Sequence, residues 1–233
     1  RLHAGAGPGV VRGKGAPVIY VDVYIGQTRA KAWISLLESY GFGEMCVREE
    51  VLPRRHPWVF DNGAFKDWTA GKPFNTAKYE KALDLIWLHA KTNPDFTVVP
   101  DIVAGGLESL RFSESWCKRL ASMGAPLALV VQDGMTEADV LAALDPYRVV
   151  FVGGTLEWKL RTFRRWTEFA HEHGRKCHVG RFGTEARVRA AIEAGVDSID
   201  SCLPLWSREN LQRFLRGLNP SLNGELFGAE VPA

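Results

Sequence analysis

The sequence has no apolar run approaching the ~20 residues that a membrane-spanning helix requires, so we expect no membrane insertion. Its opening residues RLHAGAGPG also lack the apolar core of a signal peptide. Cysteine is scarce, and the four cysteines stand singly, without the paired spacing of a zinc site or a disulfide framework. We therefore expect a cytoplasmic setting and no bound zinc. The four are Cys46, Cys117, Cys177 and Cys202.

A strong net charge of either sign is also missing, because the chain has 29 Lys and Arg residues and 27 Asp and Glu residues, which give a net charge of +2. Proteins that bind polyanions usually concentrate basic residues on one face, so this balance leaves the partner open. Neither a Walker motif nor a dinucleotide-binding fingerprint occurs. We therefore expect no nucleotide or redox cofactor and no metal.

Short β-branched runs alternate with amphipathic stretches along most of the chain, which is the pattern of a parallel sheet covered by helices. The length of 233 residues is close to the ~250 typical of a (β/α)8 barrel. The sequence therefore predicts an α/β fold with a single TIM barrel over 18–219, after an irregular segment 1–17 and before a loose tail 220–233. The eight strands are predicted at 18–24, 44–48, 58–60, 96–102, 127–132, 148–154, 176–180 and 198–202.

Helical periodicity fills the intervals between these strands, and polar capping residues introduce several of the helices. Glycines that suit a left-handed C-terminal cap follow three of them, at Gly124, Gly174 and Gly195. The repeated unit is thus one strand and one helix. The helices are predicted at 28–40, 76–91, 107–122, 136–143, 157–173, 184–194 and 207–217, with caps at Thr76, Thr136, Thr184 and Ser207.

Polar residues end most of the predicted strands, and in a parallel barrel these ends carry the active site. Taken singly, each has a plain structural explanation. Asp or Asn beside Gly commonly makes a turn, a strand-end carboxylate can meet a helix N-terminus, and a Gly pair can be a tight turn. Their coincidence at several strand ends predicts one functional mouth instead. The residues are Asp61, Asn62 and Gly63 at the third strand, Asp101 at the fourth, Gln132 and Asp133 at the fifth, Gly153, Gly154 and Thr155 at the sixth, His178 and Arg181 at the seventh, and Asp200 at the eighth.

Several of these segments occur in the order found in the tRNA-guanine transglycosylase superfamily, which the chain resembles over most of the predicted barrel. The strongest piece, GVDSIDSCLP at 195–204, is similar to the family's nucleophile segment and places Asp200 at the nucleophile. FDNGAF at 60–65 resembles the segment of the family's general acid/base, which falls on Asp61. The other similar segments are VVPDIV (98–103), LVVQDG (129–134) and FVGGTLEWK (151–159), which imply base recognition by Asp101, Gln132 and the Gly153–Gly154 backbone.

The chain also departs from the family's pattern. Asn62 and Ala64 replace the family's Ser and Gly, and the Cys-x-Cys-x-x-Cys zinc module expected after the nucleophile is missing. With the segment from His178 to Arg181 and the short stretch after Asp200, the chain looks more like the branch of phages and bacteria that inserts 7-deazaguanines into DNA. This resemblance implies DNA and a free 7-deazaguanine base as partners, with tRNA as the alternative polymer, and substrate contacts for His178 and Arg181.

The residue types suit base exchange. Exchange at a glycosidic carbon needs one carboxylate that attacks the sugar and a second group that manages the proton of the base. Asp200 and Asp61 fit these two roles, with a covalent aspartyl intermediate. A guanine-type base presents N1–H, an exocyclic amine and O6, to which Asp101, Gln132 and the Gly153–Gly154 amides are complementary. Because C1′ cannot be reached while the base is stacked, we expect a flipped-out nucleotide or a single strand.

Aromatic and basic residues near the strand ends allow two interpretations each. Trp68, Trp158 and Trp206 could stack on a base or pack helices onto the barrel. A run of basic residues after the sixth strand could grip phosphates or form a solvated helix face. This basic cluster comprises Lys159, Arg161, Arg164 and Arg165, with Arg181 and Arg208 in neighbouring loops.

Three other functions fit parts of the pattern. Two barrel carboxylates also serve glycosidases, in which water is the acceptor. A barrel without chemistry could be a nucleic-acid-binding subunit, since fold does not fix function. An enzyme of phosphorylated sugars would use Gly153–Gly154 as a phosphate loop, but it would leave Gln132 and Asp200 without a role. Assembly as a homodimer is left open.

Overall fold

A computed structural model describes residues 21–50 and 52–219 of the chain. Within them, eight parallel strands form a closed barrel in which each strand pairs with the next and the last pairs with the first. This confirms the predicted single (β/α)8 barrel. The strands are β1 (Asp22–Gly26), β2 (Gly43–Val47), β3 (Trp58–Asp61), β4 (Thr97–Val98), β5 (Leu127–Val131), β6 (Tyr147–Val152), β7 (Lys176–Val179) and β8 (Ser198–Ser201).

Helices cover the outside of the barrel. Their distribution is uneven, because the described residues between β2 and β3 form turns and bends whereas two helices follow β3. A short 3-10 turn, Leu203–Leu205, precedes the last helix. The helices are α1 (Lys31–Ser39), α2 (Ala64–Thr69), α3 (Thr76–His89), α4 (Gly106–Ala121), α5 (Glu137–Ala143), α6 (Leu156–Glu172), α7 (Glu185–Glu193) and α8 (Arg208–Leu218).

The strands separate two apolar layers, because successive side chains point to opposite faces of a sheet. On β5, Leu127, Leu129 and Val131 join the large core between strands and helices, whereas Ala128 and Val130 belong to a smaller cluster inside the barrel. The same alternation directs the polar residues at the strand ends inward. The inner cluster consists of Tyr24, Met45, Val59, Phe96, Val98, Ala128, Val130, Val149 and Phe151.

Several predicted strand and helix bounds are wrong. The strand expected at 96–102 is reduced to Thr97–Val98, because Pro100 has no N–H to continue the ladder. β1 ends two residues later than expected, at Gly26, and positions 18–20 of that prediction lie outside the described residues. The helix expected from 28 begins at Lys31. The predicted segments 1–17 and 220–233 lie outside the described residues as well.

The helix ends follow the predicted chemistry in most places. Thr136, Thr184 and Ser207 cap α5, α7 and α8 through their side-chain oxygens. The cap of α3 is Asn75 instead of Thr76, since the Asn75 side chain accepts a hydrogen bond from the Lys78 N–H at 3.0 Å. The short helix α2 was not predicted, because it has six residues and begins after a glycine that offers no capping side chain. Gly124, Gly174 and Gly195 have the expected left-handed backbone.

None of the helices in the described residues has the length and apolar content that a membrane span needs.

Candidate active site

The predicted site residues converge at the carboxyl-terminal mouth of the barrel, around two connected cavities. The inner pocket, of about 70 Å³, reaches down to Val130 and Phe151 of the barrel interior. The outer cleft, of about 730 Å³, lies over β1, β2, α2 and the loop after β8. Four residues line both cavities and form their junction: Asp61, Phe65, Arg181 and Asp200.

Asp200 lies at this junction on β8, held by two donors on one oxygen. His178 Nε2 lies 3.0 Å from Asp200 Oδ1, and the Arg181 backbone N–H donates to the same oxygen at 3.1 Å. In the described part of the chain, both side-chain hydrogen bonds to Asp200 end on Oδ1. Oδ2 is therefore the oxygen that carries no hydrogen bond from the described residues.

His178 lies beneath Asp200, fully buried, and lines neither cavity. Its Nδ1 lies 2.8 Å from the Ser198 hydroxyl. Burial lowers the pKa of His178, so the neutral ring can accept from Ser198 at Nδ1 and donate to Asp200 at Nε2. The geometry gives His178 the place of a residue that positions Asp200, in contrast to the substrate contact expected from the sequence.

Asp61 ends β3, which β1 and β2 separate from β8, and it lines both cavities at the junction. Its Oδ1 accepts the Gly63 N–H at 2.6 Å, a turn that leads into α2. Burial is the largest cause that raises the pKa of Asp61 from 3.8 to about 6, and the charge of Asp200 adds to it. A carboxyl group that titrates near neutral pH is suited to give and take a proton.

Asp101 is the centre of a buried cluster at one end of the inner pocket. Asn62 Nδ2 donates to Asp101 Oδ1 at 2.6 Å, and Gln132 Nε2 donates to Oδ2. Asn62 is fixed in turn by Val99 O, at 2.8 Å. Burial is again the largest cause that raises the pKa of Asp101, here to about 7, and the bond from Asn62 opposes it. This end of the pocket offers a rigidly held carboxyl group as hydrogen-bond acceptor.

Glycines form the pocket wall at the ends of β6 and β7. A Cβ atom on Gly153 would collide with Val130 Cγ1, and one on Gly180 would lie 2.7 Å from Phe151 Cε1. Any larger residue at either position would therefore fill the pocket or displace the barrel interior. The Gly153 N–H donates to Val131 O at 3.0 Å, so of the two amides expected to bind the base, that of Gly154 is the one left for a ligand.

Arg181 joins the two cavities. Its Nη2 donates to Gly154 O at 2.8 Å, and its Cζ lies 3.6 Å from the centroid of the Phe65 ring. Its backbone is left-handed, with φ 61°, which turns its N–H toward Asp200. Burial lowers the pKa of Arg181, yet a guanidinium keeps its charge at neutral pH. The sequence predicted that Arg181 belongs to the site, but it did not predict the contact of Arg181 with Phe65.

The predicted basic cluster is divided by the helix that carries it. Lys159 is 1% exposed, lines the inner pocket and donates from Nζ to Gly180 O at 2.5 Å. Arg161, Arg164 and Arg165 lie on the exposed face of α6 and pair with glutamates. Of the two interpretations, a solvated helix face therefore applies to the three arginines, because the helical period turns Lys159 to the barrel and the arginines away from it.

The three tryptophans have different environments. Trp158 packs beside Trp166 of the same helix, α6, against the core between strands and helices, with ring centroids 6.3 Å apart. Trp206 is 75% exposed and lines the outer cleft. Trp68 is exposed beside Phe65, at a centroid distance of 5.6 Å. Of the three, Trp206 is therefore the one whose ring lines a cavity and is open to a ligand there.

Sequence reasoning missed three features of the pocket: the fixing of Asp101 by Asn62, the contribution of Phe65 and the inward direction of Lys159. A signal existed for Lys159, since Phe163, Trp166 and Ala170 follow it at helical spacing and mark the buried face of α6. The partner of Asn62 could not be read from spacing, because 39 residues separate it from Asp101.

Comparison of the sequence with protein-family models and with curated proteins found no match. The described residues also hold no group of three or more His, Cys, Asp or Glu side chains arranged to bind a metal ion. Fold and site together define an α/β barrel with two carboxylates where a small pocket meets a larger cleft.

Proposed function

We propose that the protein is a base-exchange transglycosylase that replaces guanine in DNA with a free 7-deazaguanine, such as 7-cyano-7-deazaguanine. The observation that carries this proposal is the position of Asp61 and Asp200 at the junction of the two cavities. A nucleotide with its base in the inner pocket and its phosphates in the outer cleft has its C1′ atom at this junction. The resemblance to the transglycosylase superfamily assigns the same two residues.

The reaction proceeds in two displacements at C1′. Asp200 Oδ2 attacks C1′ as the bond from C1′ to N9 of guanine breaks, and Asp61 in its protonated form gives N9 its proton. The departing guanine is thereby neutral. N9 of the incoming base then attacks C1′, the ester to Asp200 breaks, and Asp61 takes the N9 proton. Each step inverts C1′, so configuration is retained overall.

The inner pocket matches a guanine-type base in hydrogen-bonding polarity. N1–H and the exocyclic amine of the base are donors and suit the Asp101 carboxyl group. O6 is an acceptor and suits the Gly154 amide. An adenine base presents an acceptor at N1 and an amine at C6, so it would oppose both ends of the pocket. This polarity supports a guanine or 7-deazaguanine substrate.

The outer cleft supplies contacts for the polymer. Lys66, Arg181 and Arg187 contribute positive charge to its lining, and the exposed Trp206 offers a face for a neighbouring base. Glu49 and Glu50 lie in the same lining and offset part of this charge. Lys66 Nζ lies 3.5 Å from Glu49 Oε1. A cleft with so few cations suits a short stretch of phosphates around a flipped-out nucleotide.

An assay with guanine-labelled DNA tests the proposal. Release of more than one equivalent of labelled guanine per enzyme should require added 7-cyano-7-deazaguanine, because without this base the reaction stops at the covalent intermediate. The Asp200→Asn variant should release none. Asp84→Asn, an exposed change on α3, is the matched control and should behave as the unsubstituted chain. Release of many equivalents of guanine per enzyme without added base would identify a hydrolase and overturn the exchange reaction.

The same incorporation assay on total tRNA separates the two polymers. Incorporation into tRNA alone would overturn the assignment of DNA while leaving the base-exchange chemistry intact. Binding of DNA without release or incorporation under any of these conditions would favour a nucleic-acid-binding subunit.

A further inference from the structure

Lys159 is a buried cation at the edge of the inner pocket that the two-carboxylate mechanism does not use. Its side chain is 1% exposed, and Nζ donates to Gly180 O at 2.5 Å. An ammonium group has three N–H donors. Among the described residues, the hydrogen bond to Gly180 O uses one of them. Burial of a charged lysine with one carbonyl partner is unfavourable, so its retention in the pocket lining needs an explanation.

The charges of the inner pocket are distributed unevenly. The acceptor group Asp101 lies at the ends of β3 to β5 with Asn62 and Gln132. Lys159 and Arg181 lie on the side of β6 and β7, where they bind the carbonyl groups of Gly180 and Gly154. A planar base between them meets hydrogen-bond acceptors at one edge and cations at the other.

We infer that Lys159 is a specificity-determining residue that donates to the acceptor edge of the bound base and rejects bases with a positively charged substituent. A 7-substituent that is a neutral acceptor, such as a nitrile, gains a hydrogen bond at this edge. A protonated aminomethyl group would instead place a further positive charge near the buried Lys159 and the half-buried Arg181, and such like-charge contacts are costly. This inference rests on the proposed function, because it takes the inner pocket as the base site.

The electrostatics of Lys159 agree with this role. Burial, followed by the charge of Arg181, lowers its pKa to about 7, while Asp200 and Asp133 act in the opposite direction. A base that offers an acceptor atom would stabilise the charged form and so recover part of the burial cost. A purely structural lysine would serve only to hold the Gly180 carbonyl.

The test compares 7-cyano-7-deazaguanine with 7-aminomethyl-7-deazaguanine as incoming bases. The unsubstituted chain should prefer the cyano base, and Lys159→Met should reduce the ratio of the two kcat/KM values by about 10- to 100-fold. The loss should appear mainly in KM. Arg161→Met, on the exposed side of the same helix, is the control and should leave the ratio unchanged.

An equal fall of kcat for both bases, with an unchanged ratio, would show that Lys159 only tethers Gly180 and would overturn the inference. Equal use of the two bases by the unsubstituted chain would overturn it too. If Lys159→Met does not fold by thermal melting, Lys159→Gln keeps a donor without the charge and is expected to lose rejection of the aminomethyl base.

Calorimetry of the two free bases, without DNA, separates this inference from the proposed function. If the protein binds the cyano base selectively, loses that selectivity in Lys159→Met and yet exchanges no base, this result would refute the exchange reaction and retain the role of Lys159. Base exchange whose selectivity does not change in Lys159→Met would retain the exchange reaction and refute the role of Lys159.

Discussion

The raised pKa of Asp61 makes a prediction about stability that does not depend on the reaction. Folding raises this pKa from 3.8 to about 6, chiefly by burial. A difference of about two units corresponds to about 3 kcal/mol, at about 1.4 kcal/mol per unit. Because the folded state binds the proton more tightly, the stability from protonated Asp61 is complete below about pH 4 and is lost as the pH rises to about 6. At higher pH the ionised carboxylate opposes folding.

The substitution Asp61→Asn removes this charge and keeps the hydrogen bond from the Gly63 N–H, because an amide oxygen can accept it. We expect the variant to exceed the unsubstituted chain in free energy of unfolding by about 3 kcal/mol at pH 8, and by roughly half of that at pH 5. Urea unfolding at both pH values, followed by circular dichroism, measures the difference. The same variant should be inactive in base exchange, so stability and activity should change in opposite directions.

Asp84→Asn serves as the control, since this exposed residue should change the free energy of unfolding by no more than about 0.5 kcal/mol at either pH. A less stable Asp61→Asn variant at pH 8 would refute the argument. So would a gain of equal size at pH 5 and pH 8, since the pH dependence is the signature of the carboxyl group.

Three further variants test the site. Asp200→Asn should abolish exchange and leave the melting temperature unchanged, because Asp200 lies at a strand end outside the apolar core; retained turnover would remove Asp200 from the nucleophile role. Asp101→Asn should weaken use of the free base about 10- to 100-fold, measured as KM, because an amide satisfies only part of the hydrogen-bond set; an unchanged KM would place Asp101 outside the base site. His178→Phe should lower kcat with little change in the KM of the base, and a rise in KM alone would contradict a positioning role.

The barrel could be predicted from the sequence because its pattern is local. Each strand and helix carries its own periodicity, and the strand-end residues face inward by the two-residue repeat. This repeat also turns His178 inward, but it does not give the depth of the side chain. Depth depends on the pairing of β7 with β8, in which His178 lies opposite Ser198, two residues before Asp200 on β8.

The parts of the site that could not be predicted depend on pairs distant in sequence or on irregular backbone. Asp101 reaches Gln132 because β4 ends early and the chain after Pro100 leaves the regular alternation. Lys159 was grouped with its arginine neighbours in one basic cluster because charge was considered without the phase of the helix. Contacts between loops, such as that of Arg181 with Phe65, leave no periodic signal in the chain.

The glycine wall of the inner pocket has a consequence for how the chain can diverge. The width of the pocket is set where Gly153 meets Val130 and Gly180 meets Phe151, all residues of the strands or their immediate ends. Loops above the mouth can therefore lengthen or shorten between homologues without altering this width. A side chain at 153 or 180 would require a smaller partner at 130 or 151, so we expect each pair to covary among relatives, while the loop residues of the outer cleft vary independently.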